Sequence, residues 1–284
     1  MGRVLITGGG GQLAHDLNEA FGEEAIALPR EQLDVTDRAK VSEALERWRP
    51  HVVVNTAAFH RVDRCEEEPE QSLLVNAAAP QRLAAACAAG GALFVHVSTD
   101  YVFDGTKGEP YDEGDPVNPI SVYGASKAAG EMAIRATTPR HLIVRTSGLY
   151  GIAGRHARHG NFVERMLDLA GPGGPITVVS DQVLTPSYTV DVARTIVALV
   201  RREATGTVHV TNQGECSWYE FAREIFRLTG LEPDLRAARQ ADRPMPAARP
   251  AYSVLAHGAL RRIGIDEPGP WQGALAEYIA SRVA

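Results

Sequence analysis

Short aliphatic runs alternate with amphipathic stretches through the first half of the chain. Arg3-Val4-Leu5-Ile6 predicts a strand and Gln12 to Phe21 a helix. Ala25 to Leu28 predicts a second strand, and Arg38 to Trp48 a second helix. His51-Val52-Val53-Val54-Asn55 is nearly continuous in apolar residues, as a strand covered on both faces should be. Pro69 to Ala89 predicts an alanine-rich helix, Leu93 to Val97 a strand, Val122 to Thr137 a helix and Leu142 to Val144 a strand. This βαβα rhythm predicts a doubly wound parallel sheet of the Rossmann type, with its ligand crevice beyond the carboxyl ends of the strands.

The second half is less regular. Asn161 to Ala170 reads as a helix, Pro172-Gly173-Gly174-Pro175 as a turn and Ile176 to Val179 as a strand. Val190 to Arg202 is helical and Thr207 to Val210 extended. Ser217-Trp218-Tyr219-Glu220 matches a capping box that opens a helix to Thr229. Pro233 to Pro250 is rich in Pro, Arg and Ala without periodicity, and a last helix starts at Trp271. We expect a dinucleotide-binding domain over 1–150. A smaller mixed α/β lobe over 151–284 should be mainly substrate-binding, with segments near 176–211 returning to the sheet.

Composition narrows the function classes. The 284 residues are 44% hydrophobic with a formal charge of -6, enough for a sizeable core and no basic stripe for nucleic acid. No apolar run reaches the ~18 residues a membrane span needs. The first residues, MGRVLITGG, show no signal-peptide pattern. Cys65, Cys87 and Cys216 form neither a disulfide framework nor a zinc spacing, which suits a reducing cytoplasm. His156 and His159 read as part of a surface loop rather than a metal site. Of the 29 Lys and Arg residues, the only lysines are Lys40, Lys107 and Lys127. Lysine at the last of these points to a task arginine cannot perform, whereas Lys40 and Lys107 read as chance.

Thr7-Gly8-Gly9-Gly10-Gly11-Gln12-Leu13-Ala14 joins the first strand to the first helix. Gly8, Gly10 and Gly11 would let backbone approach a pyrophosphate, and the amides of Gln12 and Leu13 open a helix N-terminus that favours it. In this βαβ context the run predicts a dinucleotide site. The second strand ends at Arg30 rather than at an acid. Arg30 could pair with a 2′-phosphate, which favours NADPH, with NADH as the other choice, or it could be a solvated surface arginine. Asp34 and Val35 could lie along the adenine. Asn55, Thr56, Ala57 and Ala58 follow the third strand, where small residues let a cofactor pass.

Tyr123-Gly124-Ala125-Ser126-Lys127 puts a phenol and an ammonium on one helix face. Such a pair is also a common surface pairing. Here it follows the fourth strand, lies downstream of the glycine loop and uses a rare lysine. An ammonium beside a phenol lowers its pKa toward the working range, so Tyr123 is the candidate proton donor and Lys127 the group that tunes it and holds the nicotinamide ribose. The fourth strand ends in hydroxyls, and Thr99, with Ser98 second, is the candidate to hydrogen-bond the substrate carbonyl.

The set of motifs resembles the dTDP-4-dehydrorhamnose reductase family, within the extended short-chain dehydrogenase/reductases, nearly end to end. The resemblance rests on the glycine loop, Val62-Asp63 with Glu66, and Val75-Asn76. It continues through Ser98-Thr99-Asp100-Tyr101-Val102-Phe103-Asp104-Gly105, Val122-Tyr123-Gly124 to Lys127, and Gly130-Glu131. Later members are Arg145-Thr146-Ser147, Gly151, Asn161-Phe162-Val163, Asp181-Gln182 with Thr185-Pro186, and Arg249-Pro250 with Ser253. It implies a Thr99, Tyr123, Lys127 triad that reduces the 4-keto group of a nucleotide-linked 6-deoxyhexose, the last step to dTDP-L-rhamnose. It adds Asn76 to the cofactor contacts and implies substrate contacts at Asp100, Tyr101, Phe103, Gly148, Asn161, Gln182 and Arg249. A homodimer, and a magnesium ion at the dimer contact with unmapped ligands, also belong to the family.

Two departures stand out. Gly148 replaces a tryptophan that the family often carries, which suggests a larger sugar pocket, and Phe59-His60 replaces Tyr-Thr. Related readings are another nucleotide-sugar ketoreductase, an epimerase, or a regulatory subunit like the methionine adenosyltransferase beta subunit. A dehydratase would need an acid pair after Thr99, where this chain has Asp100-Tyr101.

Overall fold

Alternation along each central strand sends successive side chains to opposite faces, and each face is covered by helices. The computed structural model describes residues 2–156, 160–171 and 173–282, with the side chains of 155 and 156 excepted. Pro172 and His159 therefore lie outside the described residues, as does the His156 side chain.

The strands are β1 (Val4–Thr7), β2 (Ala25–Leu28), β3 (Val52–Asn55), β4 (Leu93–Thr99), β5 (His141–Thr146), β6 (Leu149–Tyr150), β7 (Ile176–Val179), β8 (Val183–Leu184), β9 (Ser187–Tyr188), β10 (Gly206–His209), β11 (Cys216–Ser217) and β12 (Leu235–Ala238). The helices are α1 (Gln12–Phe21), α2 (Arg38–Trp48), α3 (Val62–Glu67), α4 (Pro69–Leu73), α5 (Ala79–Gly90), α6 (Val122–Thr137), α7 (Phe162–Ala170), α8 (Thr189–Arg201), α9 (Trp218–Thr229), α10 (Gly258–Ile263) and α11 (Trp271–Ser281).

The six-stranded sheet runs β10-β5-β4-β3-β1-β2, every pairing parallel. Val4, Ile6, Val52, Val54, Val95 and Val144 pack with α1 and α8 on one face. Leu5, Val53, Phe94 and Ile143 pack with α2 and α5 on the other. Ala14 is fully buried in the first of these layers, where a small residue lets α1 approach the sheet. Strand order reverses between β1 and β3, so their carboxyl ends splay apart there.

Two expectations need correction. The stretch from Pro69 is not one regular helix: α4 and α5 are separated by a π turn at Leu74–Ala78. Of the segments expected to return to the sheet, β10 joins it beside β5, but β7 pairs with β12 in a separate two-stranded ribbon. A further core around Tyr150, Phe221, Trp271 and Tyr278 packs α7, α9 and α11 together. Among the described residues no helix is long and apolar enough to cross a membrane.

Candidate active site

At the switch point the loop after β1 must pass between two strand ends. A Cβ on Gly8, whose φ is +71°, would stand 2.8 Å from the Ala57 nitrogen, and one on Gly9 would stand 2.8 Å from the Leu28 carbonyl carbon. A Cβ on Gly10 would meet nothing within 4 Å, so this glycine faces open space. Gly11 precedes α1 without any side-chain cap, which leaves the first amides of the helix available to an anion.

A cavity of about 350 Å³ opens there, of a size that ligand sites occupy. Gly8, Gly10 and Gly11 line it from the loop, and Arg30, Asp34 and Val35 from the segment after β2. Thr56, Ala57 and Ala58 line it from the segment after β3. Phe59, His60, Gln71 and Val75 also line it; the sequence offered Phe59-His60 only as a departure from a family pattern.

Arg30 is not alone at the rim. Its Nε lies 3.2 Å from Asp34, which also accepts from the Thr36 amide and hydroxyl. Burial works to raise the Asp34 carboxyl, but hydrogen bonds from Thr36 and Arg30 outweigh it and hold it low. A carboxylate therefore does reach the cavity, although none directly follows β2.

Other expected cofactor residues act from behind the wall. Leu13 is core, and Gln12 donates through Nε2 to the Leu149 carbonyl. Asn55 is sealed between Thr7 and His96. Asn76 accepts from the Phe59 amide and donates to the Phe59 carbonyl, so it shapes the loop rather than facing the cavity.

α6 is seated by several devices. Ser121 accepts from the Gly124 amide and Glu66 from the Val122 amide. A Cβ on Gly124 would lie 2.2 Å from the Tyr101 carbonyl oxygen, and one on Gly130 2.2 Å from that of Asn76. These contacts bring Tyr123 beside Thr99, the last residue of β4. Burial pushes the Tyr123 phenol far up; the Thr99 hydroxyl works against that, and Asp100 and Cys65 add to the rise. The Tyr101 ring meets Tyr123 edge-on at 5.9 Å.

Two residues expected from the sequence meet other partners here. Thr99 donates its one proton to Asp100 at 2.9 Å and accepts from the Tyr101 amide, so in this arrangement it has no proton for a carbonyl. Lys127 Nζ lies 2.6 Å from the Val97 carbonyl and 3.1 Å from His96 Nε2, so its side chain is turned toward β4. Burial lowers the Lys127 pKa to about 8, partly offset by Glu131.

The expected substrate contacts divide. Tyr101 is half-buried beside Tyr123, and Arg249 pairs with Asp63 at 2.9 Å while donating to the Ala247 carbonyl. Asp100, by contrast, is buried under three hydroxyls, those of Thr99, Ser147 (2.8 Å) and Ser253 (2.6 Å). Burial raises its carboxyl against them. Phe103 is interior, stacked on Tyr111 at 4.1 Å beneath the Arg145 guanidinium. Asn161 caps α7 and donates to the Gly151 carbonyl and the Tyr278 hydroxyl, and Gln182 is buried. Asp100, Phe103 and Asn161 are thus engaged by neighbouring side chains of the fold.

Gly148 lies close against the segment of Leu184 to Pro186. Its φ is +52°, and a Cβ there would stand 2.8 Å from Leu184 Cδ1 and 3.2 Å from Pro186 Cα. Among the described residues of this one chain no group of three or more His, Cys, Asp or Glu gathers to hold a metal ion.

Comparison with known proteins gives a consistent result. The profile of the RmlD substrate binding domain matches residues 2–283. The chain is 42% identical to the spore coat polysaccharide biosynthesis protein SpsK of Bacillus subtilis, over 99% of this chain and 98% of that one. It is 41% identical to the dTDP-4-keto-6-deoxy-D-glucose reductase of Streptomyces niveus, over 97% and 96%. It superposes on a dTDP-4-dehydrorhamnose reductase of Bacillus anthracis in complex with NADP, with a TM-score of 0.94, 36% identity and coverage of 99% and 100%.

Proposed function

The chain belongs to the RmlD substrate binding domain family, and from that premise we propose that it reduces the 4-keto group of a dTDP-linked 6-deoxyhexose with NADPH, with dTDP-4-dehydro-L-rhamnose as substrate and dTDP-L-rhamnose as product. The single observation that carries the reading is the Tyr123 phenol beside Thr99 at the carboxyl end of β4, in a sheet whose switch point carries the glycine-walled cavity.

The residues present fit a dinucleotide. Gly10 leaves open space where a phosphate would press, and the uncapped α1 terminus offers amides to it. Arg30 and Asp34 would meet the adenosine end. Lys127 would hold the nicotinamide ribose, and the 151–284 portion, with Arg249, would hold the sugar nucleotide. The bound cofactor supplies the hydride.

Tyr123 supplies the proton. Its raised pKa keeps the phenol protonated at neutral pH, ready to quench the alkoxide as it forms. As phenolate develops, the Thr99 hydroxyl turns from Asp100 to the phenolate oxygen. Asp100 keeps its bonds from Ser147 and Ser253 throughout. Thr99 thus stabilises the spent acid rather than the carbonyl. The three cysteines, buried and without disulfides, support a place in the reducing cytoplasm.

The test is direct. Purified protein is mixed with NADPH and enzymatically made dTDP-4-dehydro-L-rhamnose, and loss of the nicotinamide absorbance is followed. Turnover with formation of dTDP-L-rhamnose is expected. No oxidation of NADPH or NADH with this sugar or any other nucleotide keto-sugar would overturn the reading.

A further inference from the structure

Thr7 ends β1, Asn55 ends β3 and His96 lies within β4, and the register sets them side by side: Thr7 opposite Asn55, Asn55 opposite His96. All three are fully buried. Their side chains join into a row across the sheet. Thr7 Oγ1 lies 2.5 Å from Asn55 Oδ1, Asn55 Nδ2 lies 2.9 Å from His96 Nδ1, and His96 Nε2 lies 3.1 Å from Lys127 Nζ. The row begins one residue before the glycine loop and ends on the lysine of the catalytic helix. A buried polar row of this kind must have every proton placed.

Placing them gives two self-consistent arrangements. Burial and the adjoining lysine charge keep the His96 ring neutral, so it carries one N–H. If Lys127 is an ammonium, Nε2 accepts from it, the ring proton sits on Nδ1, and Asn55 must present its amide oxygen. If Lys127 is a free amine, its lone pair becomes an acceptor, and the ring proton can sit on Nε2 and point into it. Nδ1 then accepts from the Asn55 amide nitrogen, and the Asn55 oxygen accepts from Thr7. The side-chain atoms stand in the second arrangement. Passing from the first to the second releases one proton from Lys127 to solvent and leaves the ring's proton count at one.

The neighbours leave few other charges to consider. Along α6, Glu131 bears on Lys127 and is itself bound by Arg145, Arg135 and Ser98. From β1, β3 and β5 the row is met by Thr7, Asn55 and Ile143, none of them titratable.

We propose that His96 is a positioning residue for Lys127, one that fixes Nζ through Nε2 and moves its own proton between ring nitrogens as the lysine changes charge, with Asn55 and Thr7 following. What Lys127 serves rests on the reductase reading; the row itself belongs to the cofactor-free protein.

The deciding measurement uses the whole chain labelled with ¹⁵N-histidine, without cofactor. Long-range ¹H–¹⁵N spectra report which ring nitrogen is protonated, and His96→Gln identifies the His96 signals. His96 should remain neutral and pass from the Nδ1–H to the Nε2–H form as pH rises through the Lys127 value of about 8. In Lys127→Met it should show no transition.

NADPH binding gives a second readout. Its affinity, followed by fluorescence against pH, should fall with a midpoint moved down by about one unit in His96→Phe, because the ammonium has lost an acceptor. His96→Gln restores an acceptor and should restore the midpoint. A single His96 tautomer across the range, or a midpoint unmoved in His96→Phe, would overturn the proposal. Failure of the reductase reading would appear separately, as absent turnover with the histidine transition intact.

Discussion

Glu131→Gln should unfold the protein at a markedly lower temperature although it changes one oxygen to an amide nitrogen. Glu131 is fully buried one turn past Lys127 on α6. It accepts from Arg145 Nε at 2.9 Å and Nη2 at 2.7 Å, from Ser98 at 2.6 Å and from Arg135 at 2.9 Å. Arg145 is itself buried, so removing the carboxylate charge strands a guanidinium in the interior. Stranding a buried charge costs about 3–5 kcal/mol. At roughly 0.6 kcal/mol/K for a chain of this length, that is a fall in Tm of about 5–8 °C. The sign with pH follows from the carboxyl. Burial works to raise it, but Arg145, Ser98 and Arg135 outweigh burial and depress it in the folded protein. Its contribution is therefore present above the unfolded value near ~4.3 and lost as pH falls through the lower folded value. The gap between wild type and variant should be full at neutral pH and close in acid. Replacing both partners, Glu131→Gln with Arg145→Met, should recover part of the loss, because no charge is left alone. Thermal and urea unfolding of the wild type and the two variants at neutral and acid pH tests this. A Tm change under about 2 °C, or a gap that persists unchanged in acid, would refute the reasoning.

Other perturbations probe the site itself. Arg30→Ala should weaken NADPH by roughly tenfold and leave NADH nearly unchanged, measured as kcat/KM for each; equal effects on both would remove Arg30 from 2′-phosphate recognition. Gly148→Ala should cost about 1–3 kcal/mol in urea unfolding, since it strains a +52° φ and drives a methyl into Leu184; retained stability would show that the loop yields freely. Tyr123→Phe should lose about 10²–10⁴-fold in kcat with nucleotide-sugar binding little changed, and near-normal turnover would end its role as the acid. Lys127→Arg should be impaired nearly as badly, because a planar guanidinium does not fit the slot between the Val97 carbonyl and His96, while Lys40→Arg should be neutral; normal turnover in Lys127→Arg would remove the demand for a compact ammonium.

The central sheet was readable because its strands carry their own signal. Val52–Asn55 is apolar throughout, and α1, α2 and α6 have amphipathic periods and bounds that coincide with those expected. The short strands were not readable. Leu149–Tyr150 pairs with Ser187–Tyr188, and Val183–Leu184 with Cys216–Ser217, so each two-residue strand exists only through a partner far along the chain. Leu235–Ala238 lacks alternation because only its pairing with β7 makes it extended. The π turn at Leu74–Ala78 likewise reflects a tertiary demand: the Asn76 carbonyl must meet the backbone of Gly130 on another helix. No local propensity encodes that contact.

The site shows a sharper division. Motif spacing located the oxygens and nitrogens: Thr99, Tyr123 and Lys127 occupy the expected strand end and helix face. It could not say where their protons point, because the partners that decide this come from other segments. Asp100 becomes a hydroxyl acceptor only when Ser147, after β5, and Ser253, near the C-terminal end, are brought onto it. Thr99 then gives its proton inward, to Asp100. Lys127 turns to β4 because His96 and the Val97 carbonyl wait there, side by side in sequence yet presenting a ring nitrogen and a backbone oxygen to one ammonium. A ketone entering this site would take its proton from Tyr123 rather than from Thr99, whose proton Asp100 holds. Donation to the carbonyl and delivery of the final proton would then fall to the same group, with Thr99 free to follow only after the phenol has given its proton away.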